Sequence, residues 1–399
     1  MRIGSNGVIR FFKSSTIYAE YLQRLYEQHP GLETRPYGVQ YRTIMADRFG
    51  WSDFWKTHLE AAGRFNVEEV IINWAPLQQA WAREAGIAYS RSSWMFDILK
   101  AQMEAFRPDV WFVHGYEVTP EVRLRLRKEI PCIRWIMGWD GIVRNDAAFY
   151  EGTDQVLACH PDSVAFYACN GFHSHHFRLG FEESILEQLV TRPPKNNLTF
   201  VGGLSLTDKG HNRRLTVLDQ VAGKLPVNYW LSGDFGIRRY LRDCVSIGVR
   251  GNPRYAYQRL AGLAAARRVG ELSRGSLFGL EMYQALADSK IVLNVHIDAA
   301  GDRAANMRLF EATGCGACLV TDWKDNLTEL FDTDAEIVTF RNSAECIEKI
   351  GYLLDHEEER QRIARAGQAR TLRDHSLRRS IADFAGVLAD MPSLRDLRA

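Results

Sequence analysis

The chain of 399 residues contains no run of about eighteen uninterrupted apolar residues, the length a membrane-spanning helix requires. Contact with a membrane is therefore expected to be peripheral at most. Its opening, MRIGSNGVIRFF, has no apolar stretch of the length a secretory signal carries, and the expectation is a cytoplasmic protein. Net charge is almost absent: 50 Lys and Arg against 49 Asp and Glu leave +1. That gives no field for a polyanion and excludes nucleic acid as the expected main partner. The seven cysteines are odd in number and scattered, which suits a reducing compartment and argues against a disulfide framework. What remains is an ordinary globular balance, 46% hydrophobic and 25% charged, in a chain longer than one core normally fills. Two domains and a small or neutral substrate are the expectation.

The first half alternates short β-rich runs with helix-like segments. Val70–Asn73, Asp109–His114, Cys132–Met137 and Gln155–Cys159 read as buried strands, because apolar and β-branched residues run almost without interruption in them. Helices are expected at Ser15–Gln28, Ser52–Ala62, Met95–Phe106 and Pro120–Lys128, the last with Thr119 as N-cap and proline at the first helical position. Such alternation predicts βαβ units and a mainly parallel sheet. The stretch Thr191–Asn197, TRPPKNN, breaks the pattern and is read as the linker between domains of residues 1–190 and 198–375. Residues 376–399 are expected to form a C-terminal helix that packs back on the first domain. After the linker the same grammar resumes, through LTFVGG, VNYWLSG, IVLNVHI, ACLVTD and EIVTF, with helices between them and long helices from Ser343 onward. The fold class expected is α/β, two Rossmann-like domains facing across a cleft, with ligands beyond the carboxyl ends of the strands.

Within this frame KIVLNVHIDAAGDRAANMRLFEATGCGACLVTD is the most informative segment. A buried strand ends at His296 and Asp298, a glycine-containing loop follows, and a helix is expected to begin near Ala304 with free backbone N–H groups suited to a phosphate. Glu311 falls near the end of that short helix. A carboxylate there can accept two hydrogen bonds from a ribose diol, although on periodicity alone a solvated Glu on an amphipathic helix is the leading reading.

The segments GSLFGLEMYQALADSKIVLNVHI, NMRLFEATGCGACLVTD and NLTELF, with the helices after them, resemble the CgeB-like, spore-maturation branch of group 1 glycosyltransferases. There the pattern N-x-R-x-F-E-A-x-G-x-G-A precedes a strand ending in T-D. The resemblance covers about 130 residues of the second half, extends more weakly to FVGG with His211 and Arg214, and touches the first half only in layout. It implies a GT-B fold, a hexosyltransferase-like activity, a nucleoside diphosphate sugar donor, UDP- or GDP-linked, and no divalent metal. It maps Glu311 onto the ribose-binding Glu, Gly202 and Gly203 onto a glycine turn facing the diphosphate, and Asn306 and Arg308 onto donor phosphate or sugar contacts. Lys209, His211 and Arg214 complete the donor-side set, with Lys209, Arg214 and Arg308 placed to stabilise the charge that builds on the leaving diphosphate. One departure is plain. Retaining family 4 enzymes carry a second Glu eight positions before the ribose-binding one, and here that position is Arg303.

For the acceptor side, DVWFVHGYE and RWIMGWDG put His114 and Asp140 at the carboxyl ends of strands, the positions for a general base. The bland reading of each is a cap or turn residue. Asp332-Thr333-Asp334 spells the D-x-D of metal-dependent enzymes but is read as a solvated loop. Cys315 and Cys318 have C-x-x-C spacing without a second pair and are read as packing residues. His173, His175 and His176 have no acidic or thiol companion for a metal, and Trp51, Trp55, Trp74, Trp81 and Trp94 read as core or as a sugar-stacking surface. The function expected is transfer of a sugar to a glycan, lipid-linked or protein acceptor in glycan biosynthesis. A nucleotide-sugar epimerase and a non-catalytic surface-assembly protein of the same fold remain as alternatives.

Overall fold

The computed structural model describes residues 7–204, 210–233 and 262–389. Two compact units make up the chain, Met1–Arg178 with Leu377–Ala399 and Leu179–Ser376. Among the described residues no helix is long and apolar enough to cross a membrane.

The first unit is built on β1 (Ile9–Ser15), β2 (Phe65–Ile71), β3 (Val110–His114), β4 (Trp135–Asp140), β5 (Gln155–Ala158) and β6 (His173–His176). They pair in parallel in the order β2-β1-β3-β4-β5-β6. Connections between parallel strands must cross a face of the sheet, and α1 (Ala19–Gln28), α2 (Tyr37–Ala46), α3 (Phe54–Ala61), α4 (Ala75–Glu84), α5 (Trp94–Phe106), α6 (Pro120–Glu129) and α7 (Pro161–Cys169) supply them. With both faces covered, the central strands lose their polar alternation, and Val110 to Val113 of β3 are all buried. On one face Phe12, Trp111, Val113 and Ile136 pack with Leu99, Met103 and Leu126. On the other, Phe11, Phe112, Trp55 and Trp51 stack with Phe177 and with Phe384 of the last helix, Leu377–Ala389. That helix packs on α3, so the C-terminus belongs to the first unit.

The second unit is a parallel sheet of β7 (Asn196–Gly203), β8 (Asn228–Ser232), β9 (Ser289–Asn294), β10 (Cys318–Asp322) and β11 (Val338–Phe340), in the order β11-β10-β9-β7-β8. Its helices are α8 (Asn212–Ala222), α9 (Leu263–Glu271), α10 (Gly279–Ala287), α11 (Arg308–Gly314), α12 (Leu327–Leu330), α13 (Ser343–Asp355) and α14 (Glu357–Asp374). Leu198, Phe200, Ile291, Leu293 and Val320 fill the core with Leu218, Val221, Ile350 and Ile363 from the helices. The units divide at Arg178, ahead of the proline-containing stretch Thr191–Asn197, because the residues between are bonded to the second unit. Phe181 donates its N–H to the His375 carbonyl at 2.8 Å and its ring fills the space where a Cβ on Gly314 would be, 2.4 Å from that position. Arg192 holds Asp288 with a 2.7 Å bond from Nε.

One element of the first sheet breaks its apolar rule. Lys13 in β1 is 2% exposed and reaches Glu69 of β2, its register partner, at 3.0 Å. Burial pushes the Glu69 carboxyl up, while the ammonium of Lys13 and the Lys56 N–H pull it back. Removing one partner leaves a buried uncompensated charge, which typically costs about 3–5 kcal/mol. Lys13→Met is therefore expected to lower the urea midpoint strongly, and Lys13→Met with Glu69→Met to recover most of the loss. A double variant as unstable as the single one would show that the pair is not what matters at this position.

Candidate functional site

In the second sheet the chain reverses direction of growth between β7 and β9, the switch point at which open α/β sheets bind ligands. The two strands pair through Thr199 and Val292 and no further toward their carboxyl ends. Beyond that point the carbonyls of Gly203 and Val295 need other donors. Arg214, in the first turn of α8, supplies them: Nη1 donates to Gly203 O at 2.6 Å, and Nε and Nη2 donate to Val295 O at 2.9 and 2.6 Å. The guanidinium is 8% exposed, and burial lowers its pKa to about 10, with Arg308 also lowering it and Asp322 and Asp298 opposing. It stays charged at neutral pH. Gly202 and Gly203 are the last residues of β7, in register with Leu231 and Ser232 of β8, so they are ladder residues and not a turn. A Cβ on Gly202 would press on the Phe200 ring at 3.2 Å.

His211 stands at the N-cap of α8 beside Gly203. The first amides of that helix are occupied: Asn212 N and Arg213 N donate to the two carboxylate oxygens of Asp298 at 2.8 and 3.2 Å. A phosphate at this terminus would meet a carboxylate already in place. Lys209 lies outside the described residues.

The helix expected near Ala304 begins at Arg308. The reason is local: the Ala304 N–H is taken by Asn326 Oδ1 at 2.7 Å, and Asn326 Nδ2 returns a bond to Ala304 O at 3.0 Å. The amides expected to be free at Ala304 are therefore not so. Gly301, with φ of 54°, turns this loop, and Lys324 donates to its carbonyl. Downstream, Arg308 Nη1 lies 2.9 Å from Glu311 Oε2 one turn on, and the Tyr283 hydroxyl donates to Glu311 Oε1 at 3.5 Å. Glu311 is 8% exposed and lies on α11, which packs against α10 and α14. It is a buried, oriented carboxylate, unlike the solvated Glu that periodicity also allowed. Asn306 ties its Nδ2 to Asn294 Oδ1 at 2.8 Å, and Asn294 Nδ2 donates to Thr321 Oγ1 at 2.9 Å across the β9–β10 register.

The structure adds a cluster that the sequence reading did not assign. His296 Nδ1 and its backbone N–H both approach Asp322 Oδ1, at 2.7 and 2.9 Å, and Lys324 Nζ lies 3.6 Å from Asp322 Oδ2. Burial alone would raise the Asp322 pKa, but the charge and hydrogen bonds of His296 and the ammonium of Lys324 hold it down at about 2. Polar residues ending two apolar strands, NVH and VTD, were the available signal.

In the first unit Ser15 and His114 are register partners at the carboxyl ends of β1 and β3. His114 Nδ1 is 3.4 Å from Ser15 Oγ, and the ring stacks on Trp51 with centroids 4.6 Å apart. Burial, with Lys13 nearby, lowers its pKa well below the usual value, so the imidazole is neutral and its protonated form is disfavoured in this environment. Asp140 ends β4 fully buried and accepts from Tyr167 Oη at 3.1 Å, Arg144 N at 3.2 Å and Ile142 N at 3.4 Å. That geometry holds the following loop. Trp51 and Trp55 are core, while Trp74, Trp81 and Trp94 are half-buried. Asp334 sits in a turn with φ of 66°, and the Asp332 N–H is capped by Glu336 Oε2. Cys315 and Cys318 are buried, the latter with its thiol pushed up to about 12 by that burial. The ring of His176 bonds the Cys159 carbonyl.

By fold the chain is GT-B: two parallel sheets with flanking helices, similar in structure to glycosyltransferases of that class. More particularly, residues 239–386 match a family described as Glycosyl transferase-like. No curated protein matches the chain. Among solved structures it is similar to Anabaena Alr3699/HepE in complex with UDP-glucose, at 13% identity and TM-score 0.57 over 96% of this chain and 100% of that one. It is similar to sucrose-phosphate synthase from Thermosynechococcus elongatus, at 12% identity and TM-score 0.55 over 95% and 98%. It is also similar to a glycosyltransferase from Rickettsia africae, at 9% identity and TM-score 0.54 over 96% and 99%.

The environment of His211 gives a prediction. Burial first, and then the charge of Arg214, lower its pKa from 6.5 to about 3. Between those values the unfolded chain holds a proton that the folded chain refuses, so this residue's contribution to stability is present above pH 6.5 and is lost as pH falls toward about 3. The Tm of His211→Asn is expected to fall less steeply than that of wild type as pH is lowered from about 7 to about 4, the window in which the unfolded-state imidazole takes up its proton. Parallel slopes would contradict the placement of a neutral imidazole beside Arg214.

Proposed function

We propose that the chain is a glycosyltransferase that moves a hexose from a nucleoside diphosphate donor, UDP- or GDP-linked, to a glycan, lipid-linked or protein acceptor. In this reading it is a relative of the CgeB-like branch of group 1 enzymes. The observation that carries it is the convergence of Arg214, Arg308 and Glu311 at the switch point of the second sheet, in a unit that also holds most of the family match. The proteins of similar fold include one whose structures contain UDP and UDP-glucose, which supports the donor class.

Each residue has a task in this reading. Glu311 accepts the ribose diol. Its two oxygens each carry one protein contact, and a carboxylate oxygen has a second lone pair for a hydroxyl. Arg308, 2.9 Å from that carboxylate, orients it and presents the rest of its guanidinium to the phosphates. Arg214 braces the crevice and adds its positive field. Asn306 contacts the donor sugar or its phosphate. As the glycosidic C–O bond breaks, the electron pair moves to the diphosphate oxygen, and fixed cations stabilise that charge without reorganising. On this account no divalent metal is required. His114, neutral and at a strand end of the first unit, is assigned as the base that takes the acceptor hydroxyl's proton if configuration is inverted, and Asp140 as the residue that shapes the neighbouring loop.

Titration calorimetry with UDP and GDP in EDTA tests the proposal. One of them should bind wild type, and Glu311→Gln should weaken it roughly ten- to a hundredfold, since a hydrogen bond to a charged acceptor contributes about 1.5–3 kcal/mol. Circular dichroism should show the variant folded. Unchanged affinity in a folded Glu311→Gln removes the ribose assignment, and turnover that disappears in EDTA and returns with magnesium or manganese removes metal independence.

A further inference from the structure

Two buried polar atoms beyond the carboxyl end of β9, His296 Nε2 and Asn306 Oδ1, have no hydrogen-bond partner in the protein, and neither has Asp322 Oδ2 at the end of β10, which Lys324 Nζ approaches only to 3.6 Å. Leaving such an atom unpaired costs about 1–3 kcal/mol, and native structures keep few of them without a use. All three belong to one connected network. Asn306 bonds Asn294, two residues before His296, and Asn294 bonds Thr321, the neighbour of Asp322, which in turn holds His296.

We infer that His296 donates a hydrogen bond from Nε2 to the diphosphate of the donor nucleotide, with Asp322 and Lys324 as the residues that position it. This rests on the donor reading above. Three features lead to it. The imidazole is 2% exposed and fixed at its other nitrogen, since Nδ1 and the backbone N–H of His296 share Asp322 Oδ1. A ring anchored in this way offers a ligand only its Nε2 edge. In this assignment the ring lies between two anions, the Asp322 carboxylate 2.7 Å from Nδ1 and the diphosphate at Nε2, and donates to both. Around the same carboxylate stand Lys324, at 3.6 Å, and the guanidinium of Arg214, whose bonds within the sheet all go to neutral carbonyls. Glu311 and Asp298 are already engaged, by Arg308 and by the first turn of α8. The group that fits is thus an anion rich in acceptors. Asn306 Oδ1, an acceptor, suits a hydroxyl next to that anion, and a phosphate carrying a sugar offers both.

The phosphate dependence of nucleotide binding tests the assignment. Affinities of wild type, His296→Ala, His296→Gln and Asp322→Asn would be measured for uridine, UMP and UDP, and for guanosine, GMP and GDP, with melting curves to report folding. For the preferred base, His296→Ala should lose about tenfold in diphosphate affinity and change by less than about twofold for the nucleoside, the loss of one hydrogen bond to a charged group. His296→Gln, which keeps a side-chain N–H, should recover part of the loss. Asp322→Asn should lower the diphosphate-to-nucleoside affinity ratio in the same direction, a change that general loosening of the fold would not produce. Equal losses for nucleoside and diphosphate, or no loss for either, would overturn the assignment while leaving the donor reading in place. A wild type that binds none of the six ligands overturns both.

Discussion

The guanidinium of Arg214 is the constraint on which the second unit's site depends. A parallel sheet that grows outward from β7 on both sides must let β7 and β9 diverge at their carboxyl ends, and the carbonyls exposed there cannot be left dry and unpaired. One planar fork spans the gap, with three donors on two carbonyls that belong to different strands. A lysine could not do this, because a single ammonium has no fixed fork to reach both at once. The two strand ends are consequently bridged by a buried cation, and Asp322, Asp298 and Arg308 lie close enough to act on its charge.

The backbone amides at the helix ends around it are already occupied. Asp298 fills the first turn of α8, while Asn326 and Lys324 pin the loop before α11 through Ala304 and Gly301. In the proposed reading the donor is met by a set of side chains: Arg308 and Glu311 on α11, Asn306 before it, and His296 backed by Asp322. Each is held by at least one bond to another element of the same unit, so the site is preorganised by the sheet register and by the tight packing of α14 on α11, where Thr313 and Thr371 share a 2.6 Å bond.

Much of this was legible in the sequence because the β-strands of a doubly covered sheet are apolar throughout, and VIIN, DVWFVH, LTFVGG, IVLNVHI and ACLVTD announce themselves. Other elements left no such trace. β6 is spelled HSHH and lies at a sheet edge, where apolar residues are not demanded. The site was legible residue by residue and not as pairs. Glu311 and Arg308 are one helical turn apart, a spacing visible in the sequence. The contact between His296 and Asp322 spans 26 residues and follows from the β9–β10 register, which pairs Asn294 with Thr321 and which composition does not encode. The start of α11 was misplaced for the same reason: the residue that takes the Ala304 amide comes from after the next strand.

Hydrogen exchange with and without the preferred nucleoside diphosphate tests the central claim most directly, because it reports where on the chain the ligand acts. The account predicts protection in peptides that cover Asn294 to Glu311 and Thr321 to Asn326, with the start of α8 following through Arg214. Protection confined to peptides of Met1–Arg178, with those segments unchanged at saturating ligand, would contradict it.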